Sequence, residues 1–324
     1  MIKAAQHYLN QGIAKHDNDD FAGAIEDFNK AIDLDPNLAL AYYHRGRAKS
    51  WANQDYLDDY RKTIELDPTL VEVYDLLGDQ LLWDGEIDEP EQLYKKALEI
   101  APDFIDGYFG MARICLFRDD KKGAEEYATK AVEVNPTSER THQFRAWLRH
   151  LNGNLEGALQ DVNKTIEITP DNINAIDLRA KIRYELRDFT GAIQDFTNVI
   201  EIDFRHSHAY YHRGLCKCQL GDLDGGLLEL NRAIDINQDE WFYYSRGVIL
   251  FILGKHELAK MDFDEAIKLY TDSDEVYPYR GAARYMLGDK AGARRDWKKN
   301  GMNTKEGVVF MNNVMTNYDF DNLY

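Results

Sequence analysis

The sequence predicts an all-α solenoid of about nine stacked helix hairpins, and three observations carry that expectation. A short block, Ala31-Ile32-Asp33-Leu34-Asp35-Pro36, returns as Ile64-Glu65-Leu66-Asp67-Pro68, Ala97-Leu98-Glu99-Ile100-Ala101-Pro102, Ala131-Val132-Glu133-Val134-Asn135-Pro136 and Ile166-Glu167-Ile168-Thr169-Pro170, mostly 34 residues apart. A fixed period of that size means one small unit copied along the chain. Each interval holds two apolar stretches of helical spacing with a break between them, such as Leu220-Gly221-Asp222 or Leu287-Gly288-Asp289. Small residues return in one register, which calls for close helix contacts, because glycine inside a helix otherwise costs about 0.5–1 kcal/mol relative to alanine.

The windows open near Ala5, Ala39, Val71, Ile105, Glu139, Ile173, Ser207, Glu240 and Asp274, so the array is expected over residues 5–301 as one elongated domain. First helices are marked by a small residue in the eighth place: Gly12, Gly46, Gly78, Ala112, Ala146, Ala180, Gly214, Gly247 and Gly281. Second helices carry theirs in the twentieth: Ala24, Ala124, Ala158, Ala192, Gly226, Ala259 and Ala293. The second window is two residues short between Gly46 and Pro68 and holds Tyr56 and Thr63 where others hold alanine, so looser packing is expected there. In the third, Asp88 reads as an N-cap with Pro90 delaying the second helix. In the seventh, Gly225 and Gly226 sit together in the second helix and suggest a hinge. Residues 302–324 form a capping helix and tail, with Val308, Met311 and Met315 on the face that covers the last hairpin. The end, Tyr318 to Tyr324, alternates aromatic with acid and reads either as a frayed terminus or as a segment docking into a neighbouring molecule.

The copies also align the chain with itself. Arg45, Arg145, Arg179, Arg213, Arg246 and Arg280 hold the seventh place where Asp59, Asp161, Asp195, Glu229, Asp262 and Asp296 hold the twenty-third. In the third and fourth windows Leu77 and Met111 replace the arginine, and Leu93 and Tyr127 the acid. A hairpin that turns near the fifteenth place sets these positions opposite each other, so an Arg–carboxylate bridge is expected within each charged window.

These features resemble the tetratricopeptide repeat (TPR) family over almost the whole chain. The resemblance rests on an early aromatic (Tyr8, Tyr42, Tyr74, Tyr108, Tyr210, Tyr243, Tyr277), the two small places, a further alanine at Ala31, Ala97, Ala131, Ala233 and Ala266, and the closing proline. It implies a right-handed superhelix whose first helices line a concave groove that holds a peptide. The groove places implied by the family are occupied by Tyr43, His44 and Arg47 in the second window, Phe109 and Arg113 in the fourth, and Phe144 and Trp147 in the fifth. Tyr211 and His212, Trp241 and Tyr244, and Tyr279 follow in the last three. Aromatic and arginine side chains are common binding anchors, while many at these places serve inter-repeat packing instead. The family's clamp for chaperone C-terminal carboxylates is missing: Leu9, Ile13, His44, Glu72 and Leu76 stand at the matching places.

Composition bounds the function further. Hydrophobic residues make up 44% and charged residues 30% of the 324, as in a folded chain. A formal charge of −18 repels a phosphate backbone, so nucleic acid is not expected as a partner. No apolar run approaches the roughly 18 residues of a membrane helix, and the N-terminal residues read as repeat rather than secretory signal, from which a cytoplasmic location is expected. The three cysteines, Cys115, Cys216 and Cys218, are expected as reduced thiols in such a compartment. His208, His212 and Cys216 follow at helical spacing, yet two imidazoles and one poorly aligned thiol do not complete a tetrahedral site, so no metal and no other cofactor is expected. Glu72, Asp75 and Asp79 form an acidic cluster that reads as a solvated face, and no nucleophile–base pair or phosphate loop points to an enzyme. A non-catalytic adaptor that binds a protein or peptide partner is the reading that results. Its rival is a structural protein that forms a homodimer or larger assembly through its tail or terminal repeats.

Overall fold

The computed structural model describes residues 2–270 and 274–317, and every regular element among them is an α-helix. The chain forms two compact units, residues 1–154 and 155–324. The first contains α1 (Ile2–His16), α2 (Phe21–Leu34), α3 (Ala39–Trp51), α4 (Leu57–Leu66), α5 (Glu72–Trp83), α6 (Asp88–Ile100), α7 (Ile105–Phe117), α8 (Lys121–Val134) and α9 (Glu139–Leu151). The second contains α10 (Leu155–Ile168), α11 (Ile173–Glu185), α12 (Phe189–Ile202), α13 (Ser207–Gln219), α14 (Leu223–Ile236), α15 (Glu240–Ile252), α16 (His256–Leu269), α17 (Val276–Met286), α18 (Lys290–Lys299) and α19 (Thr304–Asn317). Within each unit consecutive helices pack in chain order, as a helix-hairpin solenoid requires.

One turn geometry serves all nine windows. The fifteenth place has positive φ throughout: Asp19, Asn53, Gly85, Asp119, Gly153, Arg187, Gly221, Gly254 and Gly288. Gly221, at φ 87°, holds the left-handed region without the steric cost that a side chain pays there. One residue later an aspartate caps several second helices: Asp20, Asp120, Asp188, Asp222 and Asp289 each accept a hydrogen bond from the backbone N–H of a glycine three residues on, at 2.8–2.9 Å. A Cβ on those glycines would collide with the capping carboxylate. This revises the hinge expected at Gly225–Gly226. Gly225 belongs to the cap, and a methyl group at Gly226 would overlap the Cys218 sulfur and lie 3.1 Å from the Gly214 carbonyl oxygen. The pair marks a close α13–α14 contact.

Five of the six eighth-place glycines, all but Gly214, have a specific partner. A Cβ at Gly12, Gly46, Gly78, Gly247 or Gly281 would lie 2.5–2.7 Å from Phe28, Tyr60, Tyr94, Phe263 or Trp297, the aromatic of the facing second helix. Close packing thus removes the Cβ of one helix to seat the ring of the other. In the shortened second window α4 has ten residues against fourteen in α2, but Tyr60 still fills the place beside Gly46, and the Tyr56 hydroxyl donates to Gln80 Oε1 at 2.6 Å. In the third window Ile87, not Asp88, is the cap residue, and α6 begins in the eighteenth place, one later than the seventeenth at which α2, α8, α12 and α14 begin. Pro90 lies in the first turn, where no N–H is needed.

Five of the expected arginine bridges lie within a single unit, and each is formed. Arg179 donates Nε to Asp195 Oδ2 at 2.9 Å and Nη2 to Oδ1 at 2.7 Å, and Arg246–Asp262 and Arg280–Asp296 repeat that two-point geometry. Arg45–Asp59 and Arg213–Glu229 complete the set. Arg145 and Asp161 fall on helices of different units. Each of the five arginines does more than bridge its own hairpin. Its Nη1 donates to the preceding hairpin, to Asn29, Asn163, Thr197, Asn231 or Asp264, at 2.7–3.1 Å. Four of them also lie over the early tyrosine of their own helix, 5.2–5.5 Å from the ring centre. The seventh-place arginine therefore ties successive repeats together.

The second unit has a continuous apolar core running from Ile176 on α11 to Met311 and Val314 on α19. The buried apolar residues of the first unit fall into smaller groups, such as Tyr60, Val73, Leu77 and Leu81, or Tyr94, Met111 and Ile114. α19 packs on α15, α17 and α18. Its buried face is Gly307, Met311 and Val314 with Phe310 beside them; Met315, expected on that face, is exposed, because it is one residue past Val314 on the helical wheel. The expectations for residues 318–324 lie outside the described residues.

Candidate functional site

First helices carry all the expected groove residues, and the structure sorts these into three groups. Phe109, Tyr211 and Tyr244 are buried and belong to the core between repeats. Burial pushes the Tyr211 hydroxyl up to about 12, and it pairs with Ser245 Oγ at 3.2 Å. His44, His212 and Tyr279 share the sixth place and are half-buried against the aromatic of the preceding hairpin. His44 stacks on Phe28 with ring centres 5.9 Å apart and His212 on Phe196 at 5.5 Å, and Tyr279 tilts over Phe263 at 6.0 Å. Loss of solvent lowers His44 to about 4, with Arg47 and His16 acting the same way, and lowers His212 to about 3, so both rings are neutral at neutral pH. Tyr279 is further covered by Phe310 of α19, edge-on at 4.8 Å.

The remaining residues keep accessible surface. On α3, Arg47 lies over the Tyr43 ring at 5.8 Å, and both are half-exposed. On α9, Phe144 joins Phe109 at 4.5 Å and Trp147 at 6.0 Å, and Trp147 is 42% exposed. Trp241, at the start of α15, is 47% exposed and meets Tyr244 edge-on.

Arg113 organises a polar cluster on neighbouring first helices of the first unit. Its Nη1 donates to Asp79 Oδ2 at 2.9 Å, Asp79 also accepts from the Tyr94 hydroxyl at 2.6 Å, and Asp75 lies 3.5 Å from Arg113 Nη2. Arg140 on α9 reaches Asp106 on α7 at 2.6 Å and covers the Phe109 ring. The Asp75 carboxyl is raised to about 7, chiefly by burial and then by Asp79 and Asp106, against the pull of Arg113 and Arg140. A carboxyl raised above its unfolded value favours folding while protonated, so its contribution is complete below about pH 4 and is lost as pH rises towards 7. Asp75→Asn is therefore expected to stabilise the protein at pH 8 by about 2 kcal/mol, since the carboxyl is mostly shielded but not dry, and to have little effect at pH 4. Thermal unfolding of parent and variant at the two pH values checks this, and an equal shift at both would contradict it.

One exposed feature was not expected. The thirteenth place, at the C-terminal end of successive first helices, holds Trp51, Trp83, Phe117 and Leu151, all exposed, with Trp83 at 87%. The copies show this residue type in register, so the signal was present, but exposure at that place is not readable without the packing. Among the described residues no group of three or more His, Cys, Asp or Glu side chains is arranged to hold a metal ion. His208 and His212 stack at 6.4 Å, and burial raises the Cys216 thiol to about 12. No helix of the described residues is long and apolar enough to cross a membrane.

Hairpins that stack in chain order within each unit, with small eighth and twentieth places, define the class of helix-hairpin repeat proteins. Family models agree: one described as a TPR repeat matches residues 12–49 and one described as a tetratricopeptide repeat matches residues 242–273. These matches and the neighbours of the same fold support a tetratricopeptide repeat protein. A tetratricopeptide repeat protein from Parabacteroides merdae has a similar fold at 21% identity, with a TM-score of 0.58 over 76% of this chain and 99% of that one. PilF of Pseudomonas aeruginosa is similar at 15% identity, TM-score 0.56, over 69% and 99%. A chain of the APC/C hetero-tetramer Cut9–Hcn1 is similar at 14% identity, TM-score 0.58, over 81% of this chain and 52% of that one. At these identities the likeness is one of fold. No curated protein matches the sequence.

Proposed function

We propose that the chain is a non-catalytic interaction scaffold that holds a peptide segment or helix of a protein partner along its first helices. The observation that supports this reading is the pair of half-exposed tryptophans, Trp147 on α9 and Trp241 on α15, which leave more surface in solvent than the other aromatics of those helices. A large ring left in water at a family groove place is a ready anchor, since it buries wide area with few torsions to freeze. Arg47 and Arg113 orient the segment through its carboxylates or backbone carbonyls. The test is selection of binding peptides from a random library displayed on phage against the full chain. Enriched peptides are expected to bind Trp147→Ala or Trp241→Ala at least tenfold more weakly; equal binding to parent and both variants would overturn the reading.

Self-association is the second reading, and the exposed ridge Trp51, Trp83, Phe117 and Leu151 favours it over the tail, because α19 already packs on its own unit. Light scattering of the same samples separates the two: a dimer that Trp83→Ser dissociates supports the second.

A further inference from the structure

A cavity of about 550 Å³ opens in the second unit between the start of α15, the end of α16 and the start of α17. Its lining is Glu240, Trp241 and Tyr244 from α15, Tyr270 following α16, and Asp274, Glu275 and Val276 leading into α17. Two properties bear on what it can hold. Trp241 and Tyr270 leave about half of their area in solvent, 47% and 54% exposed, although each lines a concavity large enough to receive a side chain. Among the described residues of the lining, the three charged ones are carboxylates, and no lysine, arginine or histidine is among them. Asp239 adds a fourth carboxylate next to the cavity, but it is committed to the α15 N-terminus, where it accepts from Trp241 N–H at 2.9 Å. Nearby lysines are likewise engaged. Lys268 pairs with Glu265 at 2.9 Å, and Lys299 lies on the Tyr277 ring, with its ammonium 2.9 Å from the hydroxyl.

Aromatic faces carry negative charge at their centres and tryptophan is the strongest of them, so a ring pair bordered by carboxylates attracts a cation from both directions. An anion is repelled by the carboxylates, and a neutral apolar group gains the ring contact only. We propose that this cavity is a subsite for a single cationic side chain, lysine or arginine, of a bound peptide. The alkyl stem lies along Trp241 and Tyr270, and the charged head reaches Glu240, Asp274 and Glu275. The inference rests on the scaffold reading above and sharpens it, because it assigns the second unit a chemical preference that the first helices alone do not specify.

The test uses the full chain labelled with ¹⁵N and follows the indole N–H signals, with Trp241→Phe to assign that of Trp241. The probes are capped pentapeptides of glycine and alanine with lysine, arginine, norleucine or glutamate at the centre. Lysine and arginine peptides are expected to shift the Trp241 signal saturably in the low millimolar range, at least tenfold more tightly than norleucine, while glutamate leaves it in place. Raising salt from 50 to 500 mM and the pair Glu240→Gln with Glu275→Gln should each weaken the shift several-fold, with no change in the other indole signals that would indicate altered folding. Equal binding of norleucine and lysine, or no lysine response at 10 mM, would overturn the proposal. Such a failure leaves the scaffold reading standing as long as selected peptides still depend on Trp147; loss of that dependence removes the scaffold reading whatever this titration gives.

Discussion

Replacing Trp297 by alanine is expected to cost about 3–5 kcal/mol, the range for removing a buried large aromatic, and to release α19 from the end of the second unit. Trp297 is the largest fully buried side chain of the protein. Its ring is held between two glycines from different helices: Gly281 of α17, whose would-be Cβ lies 2.7 Å from Nε1, and Gly307 of α19, where a methyl group would overlap the ring. Its indole N–H donates to the Pro278 carbonyl at 3.1 Å, and Tyr285 tilts against it at 5.6 Å. The substitution leaves an unfilled space bounded by three helices, and the two glycines that face it, Gly281 and Gly307, have no side chain to relax into it. In a repeat array the loss stays local, since stability is a sum over neighbouring units. Urea unfolding followed by circular dichroism should show the cost, and limited proteolysis should show new cleavage near residues 301–304. Trp297→Phe keeps most of the packing and loses the hydrogen bond, so about 1–2 kcal/mol is expected. A Trp297→Ala variant that unfolds within 1 kcal/mol of the parent with α19 still protected would contradict this account.

How far these features could be read from the sequence depends on what repetition records. The Arg–carboxylate bridge was legible because both partners recur in register, and Leu77 with Leu93 or Met111 with Tyr127 change together. The same copies also contain the Asn29, Asn163, Thr197, Asn231 and Asp264 series that ties each arginine to the previous hairpin, and the pairing of Gly12, Gly46 or Gly78 with Phe28, Tyr60 or Tyr94. Those were missed because the contact crosses a window boundary or links a small residue to a large one, and neither is suggested by like charge or like size. The candidate site was less legible. Phe109, Tyr211 and Tyr244 are aromatics of first helices just as Trp147 and Trp241 are, and helical period alone does not say which side of a first helix the next hairpin covers. The division at residues 154 and 155 left no trace either, because the repeat continues in register across it.

The charged windows carry the second large prediction. Asp195 is 1% exposed and accepts from two arginines, Arg179 in the seventh place and Arg183 in the eleventh, whose Nη1 reaches Oδ2 at 2.7 Å. Lys49, Lys217 and Arg284 give Asp59, Glu229 and Asp296 the same second cation, and in the first window Lys15 pairs with Asp27 where Gln11 holds the seventh place. The eighth window departs: Leu250 occupies the eleventh place, Asp262 has Arg246 as its one cation among the described residues, and burial raises its carboxyl. Asp195→Asn is therefore expected to cost about 3–5 kcal/mol, because it strands two partly buried guanidinium groups, and Asp262→Asn distinctly less. Double-mutant cycles of Asp195→Ala with Arg179→Ala should show coupling above about 1 kcal/mol. Additive effects, or equal damage at Asp195 and Asp262, would rule the account out. The bridges need not stabilise more than an apolar core does, since desolvation offsets their attraction. The third and fourth windows make the point within this chain: Leu77, Leu81 and Leu93, or Met111, Cys115 and Tyr127, fill the three places that Arg179, Arg183 and Asp195 fill in the sixth. Changing all three of those to leucine together should restore most of what Asp195→Asn alone removes, because the set is exchangeable as a whole and damaging only when broken.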